Sequence, residues 1–271
     1  MVQFDRFQEA RMSDVLVSLI VFVGTCVAAL VGFWVQRRLP ESHQNDATKS
    51  SVRLTIGMMA TLTSILLGMV TASAKETYDA GNAVITSMAV DILTLDQILD
   101  NYGAESASAR QQLRDSLHYR IETIEAGDAY FIADQTAVKG ISMMERLYNT
   151  IHSLAPTNEL QRDLRSRALE ILGGRVSYGD GNLAQQRWFF TVKPASIPQV
   201  FLVVVFGWLV LEFFCFGIFS TRNATVLTTI AVGSLIVASA VFLILELENP
   251  MSGFLRVPTE SLRLAEQLLT K

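Results

Sequence analysis

Six residues of the second long apolar segment have the types and spacing to line a water-filled path: Gly57, Thr61, Ser64, Gly68, Thr71 and Lys75. They follow one another at intervals of four, three, four, three and four, which places them on one face of a helix. Hydroxyl oxygens and bare glycine backbone can replace part of an ion's water, and a lysine at one mouth favours anions. The same small residues also suit close packing of one helix on another, so the pattern serves a pore or a packed interface. Lys75 is equally suited to snorkelling at a helix end or to pairing with Asp79 one turn on, and Glu76 beside it blunts a positive ring. The other face presents Leu54, Met58, Leu62, Ile65, Leu66 and Met69 to lipid or to other helices. Of these, Leu62, Ile65 and Met69 would narrow a path if the helix turned.

A second candidate is Glu212, an intramembrane acid set among Val210, Leu211, Phe213 and Phe214. A charge at mid-membrane costs ~3 kcal/mol or more, so such a group faces water, an ion or a hydrogen-bond partner. Glu246 and Glu248, ahead of Asn249-Pro250, read as solvated residues at a helix end or as an acidic ring in an oligomer.

The elements that carry these residues are four apolar segments, each long enough to cross ~30 Å of hydrocarbon. They run over 15–35, 54–74, 197–219 and 224–247. The 271-residue chain is 50 % hydrophobic but only 18 % charged, and its apolar residues are clustered, as in a membrane protein. The first segment is too long for a cleaved signal and is followed by Arg37-Arg38 instead of small residues. Gly24, Ala28 and Gly32 within it, four apart, form a packing groove.

Between the second and third segments lies a polar region of helical pattern. The second helix has no breaker at its end and continues to about Tyr102, with Ile85, Met88, Ile92, Leu95 and Leu99 on one face. One heptad position runs Gly57, Ser64, Thr71, Tyr78, Ile85, Ile92, Leu99, polar in the membrane part and apolar beyond it. Gly103 ends this helix. Further amphipathic helices are expected at about 105–126, 136–154 and 157–172, interrupted by Pro156 and by Gly173-Gly174. The Tyr178–Asn182 turn lacks the strand and lysine of a phosphate loop. The expected organisation is 1–74 with two spans, 75–194 as a helical extramembrane domain, and 195–271 with two spans and a tail. The fold class is all-α integral membrane protein.

Several functions are excluded or disfavoured. A net charge of −4 gives no argument for nucleic acid. Two cysteines, Cys26 and Cys215, make no disulfide framework, and His43, His118 and His152 have no ligand spacing. With no triad, nucleotide motif or paired carboxylates, no catalytic residue, metal or cofactor is expected. The short loop with Arg37, Arg38, Lys49 and Arg53, and the turn with Arg222, favour the cytoplasm, which would put the polar region outside it. Arg6, Arg11, Lys75, Lys193, Arg256 and Arg263 flank the opposite side.

The chain resembles the bestrophin-like domain family of bacterial membrane proteins, long described as a domain of unknown function. The resemblance rests on Arg38-Leu39-Pro40-Glu41, Val52-Arg53-Leu54, the run from Leu66 to Asp79, Phe216-Gly217-Ile218-Phe219, Arg222-Asn223-Ala224-Thr225, Phe242 to Leu247 and Asn249-Pro250-Met251-Ser252-Gly253. Leu255-Arg256-Val257 and Leu262-Arg263 fit as well. Met251 stands where an aromatic is common, and Glu212 where apolar residues are usual. Bestrophins are pentameric channels with four membrane helices per subunit and a pore lined by the second. The resemblance therefore implies a homo-oligomer, a pentamer on that pattern, conducting ions across the lipid bilayer of the bacterial inner membrane. Loop charge places the helical region on the opposite side from bestrophins. The other reading is a non-conducting scaffold or sensor whose helical domain binds a partner.

Overall fold

The structure, a computed structural model, describes residues 2–38, 46–125, 136–173, 183, 199–221, 223–250 and 254–270, with side chains from 14, 50, 140, 142 and 201 onward in the respective segments. Among the described residues the chain is helical and contains no strand: α1 (Val2–Gln36), α2 (Asp46–Tyr102), α3 (Ala107–Glu125), α4 (Thr136–Ser153), α5 (Glu159–Ile171), α6 (Gln199–Phe219), α7 (Ala224–Glu248) and α8 (Glu260–Leu269). Four helices, α1, α2, α6 and α7, are long and apolar enough to cross a membrane. The protein is thus an all-α membrane protein with four spans and a helical extramembrane region. The motif residues 39–41, 222 and 251–253, the turn 178–182 and His43 lie outside the described residues.

The chain divides into two compact units, Met1–Thr77 with Ser196–Glu248, and Tyr78–Ala195 with Asn249–Lys271. In the first, α1 packs along α6 and α7. Lipid tails are as apolar as leucine, so such packing relies on close approach rather than on escape from water. Glycines provide that approach. A Cβ at Gly32 would lie 2.3 Å from the Phe214 carbonyl oxygen, and one at Gly217 only 2.1 Å from that of Ala29. Gly24 accommodates the Phe206 ring, and Ala28 and Ala29 are buried between them. The groove expected from Gly24, Ala28 and Gly32 is therefore in use, and Gly217 is its counterpart on α6. At one end of this bundle the Gln36 side-chain amide donates to the Ser220 carbonyl at 3.1 Å.

The second unit has a water-excluding core of the ordinary kind. Ile85, Ile92, Leu95 and Leu99 of α2 meet Leu113 and Leu117 of α3, Leu147 and Ile151 of α4 and Leu262 of α8, all 2 % exposed or less. Each such side chain contributes ~1.5–3 kcal/mol by leaving water. Gly103, at φ 116°, ends α2 where the helix spacing stops, since few residues other than glycine adopt that conformation. The Gln161 amide then donates to the freed Tyr102 carbonyl at 2.9 Å. The α5 start differs by one residue from the expected Thr157: Asn158 is the cap, accepting from the Gln161 backbone at 2.7 Å.

The C-terminal helix α8 buries Leu262, Ala265 and Leu269 and is tied to α3 by charge. Glu125 takes a two-pronged bond from Arg263 at 2.7 and 2.6 Å, and His118 bonds Glu266 at 2.8 Å with Glu122 at 3.4 Å. The Arg263 and Thr259 hydrogen bonds hold the Glu125 carboxyl below its ordinary 4.5, and Glu266, then Glu122, hold His118 above its ordinary 6.5. The Glu125 bond is fully present above 4.5 and is lost as pH falls through its lowered pKa. The His118 bond is fully present below 6.5 and is lost as pH rises through its raised pKa. Docking of α8 should be tightest between those ordinary values. Hydrogen exchange of the α8 amides should show this maximum, with Glu125→Gln flattening its acid limb and His118→Gln its alkaline limb.

Candidate functional site

The candidate site is the membrane part of α2. The face it turns to its own chain is Ile56, Thr63, Val70 and Ala74, all buried, with Leu67 half covered. Val70 and Ala74 pack against Ile244 of α7, beside Phe201 and Leu247. These positions stand one residue before Gly57, Ser64 and Thr71 in the heptad, about 100° around the helix. Most of the expected polar stripe is consequently turned away from the rest of the chain, with Gly57 at the edge of a groove beside the end of α6. Gly57, Thr61, Ser64, Gly68 and Lys75 are exposed, Thr71 is half-buried, and a Cβ at Gly57 or Gly68 would meet nothing within 4 Å. Leu54, Met58, Leu62, Ile65 and Met69 are open as well, each more than half exposed. Of the four spans α2 is the least covered, 17 % buried in its most apolar stretch against 28, 28 and 33 % for the others.

The stripe hydroxyls are not idle. Thr61 donates to the Gly57 carbonyl at 2.9 Å, Ser64 to Ala60 at 2.7 Å and Thr71 to Leu67 at 2.7 Å. Each proton is used one turn back, and the oxygen lone pairs face outward. The wall is therefore neutral and rich in acceptors, and Lys75 is the stripe's one charge. Lys75 is exposed and interacts with another group of the chain.

Glu212 is elsewhere. Its side chain is 7 % exposed, with the buried Thr63 on the covered side of α2 as its polar neighbour. It is a buried acid between two helices, and the structure does not bring it to the stripe. Thr63 is a partner the sequence reading missed. The Thr-Ser pair at 63 and 64 could have signalled two polar faces, one inward and one outward. Glu246 also corrects an expectation: it is 1 % exposed, not a solvated residue at a helix end. The last turn of α7 is enclosed, with Ile244, Leu245 and Glu246 consecutively buried. Glu248 is half-buried.

A pocket of about 200 Å³, open on one side, lies in the same bundle, walled by Val21, Val70, Phe206, Leu209 and Leu245. Its wall is apolar and offers an ion no ligand. Among the described residues no group of three or more His, Cys, Asp or Glu could hold a metal.

Fold and site together define a four-span helical membrane protein whose second helix carries an uncovered polar stripe. The bestrophin-like domain model matches residues 23–262. The chain therefore belongs to the bestrophin-like family. No curated protein matches it. Its fold is similar to two point-variant crystal structures of a bacterial bestrophin homologue from Klebsiella pneumoniae. One, an isoleucine-to-threonine variant, has a TM-score of 0.60 at 12 % identity, covering 93 % of this chain and 97 % of the other. The second, an aspartate-to-alanine variant, has 0.61 at 14 %, covering 94 % and 97 %. A structure of a membrane protein with a proline-to-alanine substitution gives 0.59 at 13 %, covering 93 % and 97 %.

Proposed function

We propose that the protein is a homo-oligomeric ion channel of the bacterial inner membrane. Several copies of α2 surround a passive path lined by Gly57, Thr61, Ser64, Gly68, Thr71 and Lys75, and a pentamer follows the bestrophin pattern. One observation carries the reading: the stripe is open in a chain that packs α2 through a different face. Small residues used for packing within the chain would be covered, as Gly32 and Gly217 are. An open stripe is left for water, another copy or lipid, and lipid is a poor neighbour for outward oxygen lone pairs and bare backbone. Around an axis, the stripe faces water while Met58, Leu62 and Met69 on its flanks meet neighbouring copies. Rotation of α2 by about a quarter to a third of a turn would exchange hydroxyls for Leu62, Ile65 and Met69 and close the path.

Anions are slightly favoured on the strength of Lys75 alone, the one charge on the stripe, since the outward lone pairs of the neutral wall suit cations. Ion flux through the purified protein in liposomes tests this. Wild type should pass chloride somewhat better than potassium, and Lys75→Glu should reverse that order. An order unchanged by Lys75→Glu would remove Lys75 from the path.

The scaffold or sensor reading has one observation in its favour. The helical unit carries a recess of about 540 Å³ that mixes apolar surface from Leu117, Met143 and Leu269 with the charged groups Arg114, His118 and Glu266. The buried Nε of Arg114 has no hydrogen-bond partner among the described residues. Absence of flux under every voltage and pH, with the oligomer intact, would move the function to this recess.

A further inference from the structure

We infer that the protein holds the phosphate of an anionic phospholipid in a groove at the end of the bundle where α2 and α7 begin and α6 ends. The groove encloses about 440 Å³ and is lined by Arg53, Gly57, Phe216, Phe219, Ser220 and Thr221. Its polar and apolar parts match a lipid's two halves. Arg53 is exposed and makes no ion pair among the described residues, and its planar fork suits two phosphate oxygens at once. Ser220 and Thr221 line the same groove and add two hydroxyl-bearing side chains to it. Phe216 and Phe219 supply an apolar wall for the first part of an acyl chain. The site lies where headgroups lie, with Arg53 about two turns into α2 and Phe216 and Phe219 in the last turn of α6.

Charge selects the lipid. The bond from Gln36 to Ser220 brings the end of α1, with exposed Arg37 and Arg38, to this same end of the bundle. Arg38 is stacked on Trp34, 3.6 Å from the ring centre. The described side chains at 36–38, 50–57 and 216–226 include these three arginines and no acid. An anionic headgroup is attracted by all three, whereas a zwitterionic one brings its own cation into the same field. Gly57, the first residue of the polar stripe, lines the groove, so a seated lipid touches α2. The inference stands whether or not α2 lines a pore.

Native mass spectrometry of the full-length protein in detergent, offered equal amounts of phosphatidylglycerol and phosphatidylcholine, tests it. Wild type should retain phosphatidylglycerol about fivefold better. Arg53→Glu should abolish the preference, Arg53→Lys should keep part of it, and Thr221→Val should weaken it. Arg38→Glu, with the same charge change outside the groove, should leave most of it. Four results would overturn the assignment: no preference in wild type, a preference that survives Arg53→Glu, equal loss with Arg38→Glu, or displacement of the lipid by inorganic phosphate. A changed subunit number in Arg53→Glu with lipid retention unaltered would also overturn it, making the groove a contact between copies.

Discussion

Ser64→Leu is expected to cut ion flux through the reconstituted protein at least about tenfold while leaving the fold intact. The residue is exposed in the single chain, so a leucine there has room without displacing buried side chains. Its effect falls on the axis. One leucine per subunit replaces a ring of hydroxyl oxygens with a ring of branched alkyl groups, and a constriction of that kind closes by excluding water. A tenfold loss corresponds to ~1.4 kcal/mol on the barrier, small beside the cost of stripping an ion. The check is flux from liposomes at matched protein content, with oligomer mass measured in the same preparation. Ser64→Thr retains a hydroxyl at this position and should retain most of the flux. Flux unchanged in Ser64→Leu would exclude the stripe as the path.

The second large effect is on folding. Gly217→Ala should destabilise the membrane bundle by about 3 kcal/mol, the upper part of the range for overpacking, and Gly217→Leu should leave little folded protein. The added carbon would sit 2.1 Å from the Ala29 carbonyl oxygen, and 3.0 Å from the Gly32 Cα. These are backbone atoms, which cannot rotate aside as a side chain can, so α1 and α6 must separate. Gly207 on the same helix is the control: a Cβ there meets nothing within 4 Å, and Gly207→Ala should be neutral or slightly stabilising through helix propensity. Unfolding in a denaturing detergent, followed by helical circular dichroism, distinguishes the two.

Most of the architecture is legible from periodicity and punctuation. The run from Gly57 to Leu99 keeps its three-and-four spacing without a breaker, and α2 is one helix to Tyr102, closed by Gly103. The stripe itself was readable because small and hydroxyl residues on an apolar helix stand out against leucine. Which side of α2 packs on the chain was less readable. Ile56, Thr63 and Val70 look no different in type from the lipid-facing residues around them, and only tertiary contacts choose among apolar faces. The Glu212–Thr63 pair was hidden for the same reason, since its two halves are 149 positions apart. Glu246 was misread because proximity to the end of a span does not imply solvent when neighbouring elements enclose the last turn. Gly217 carries a signal of its own, since a glycine within the aromatic run Phe213 to Phe219 marks close backbone approach. Ser106, whose hydroxyl donates to the Leu99 and Gly103 carbonyls at the corner after α2, had no signal beyond its type.

The central claim is that the stripe of α2 faces water inside an oligomer. Thiol accessibility tests it most directly. With Cys26 and Cys215 replaced by serine, cysteines are placed singly at Thr61, Ser64 and Thr71, and at Thr63 as a buried control. The membrane-embedded protein is then treated with a charged, membrane-impermeant thiol reagent. Modification at 61, 64 and 71, with 63 protected until denaturation, is the predicted result. Protection of all three stripe positions, in protein that reacts once denatured, would contradict the claim.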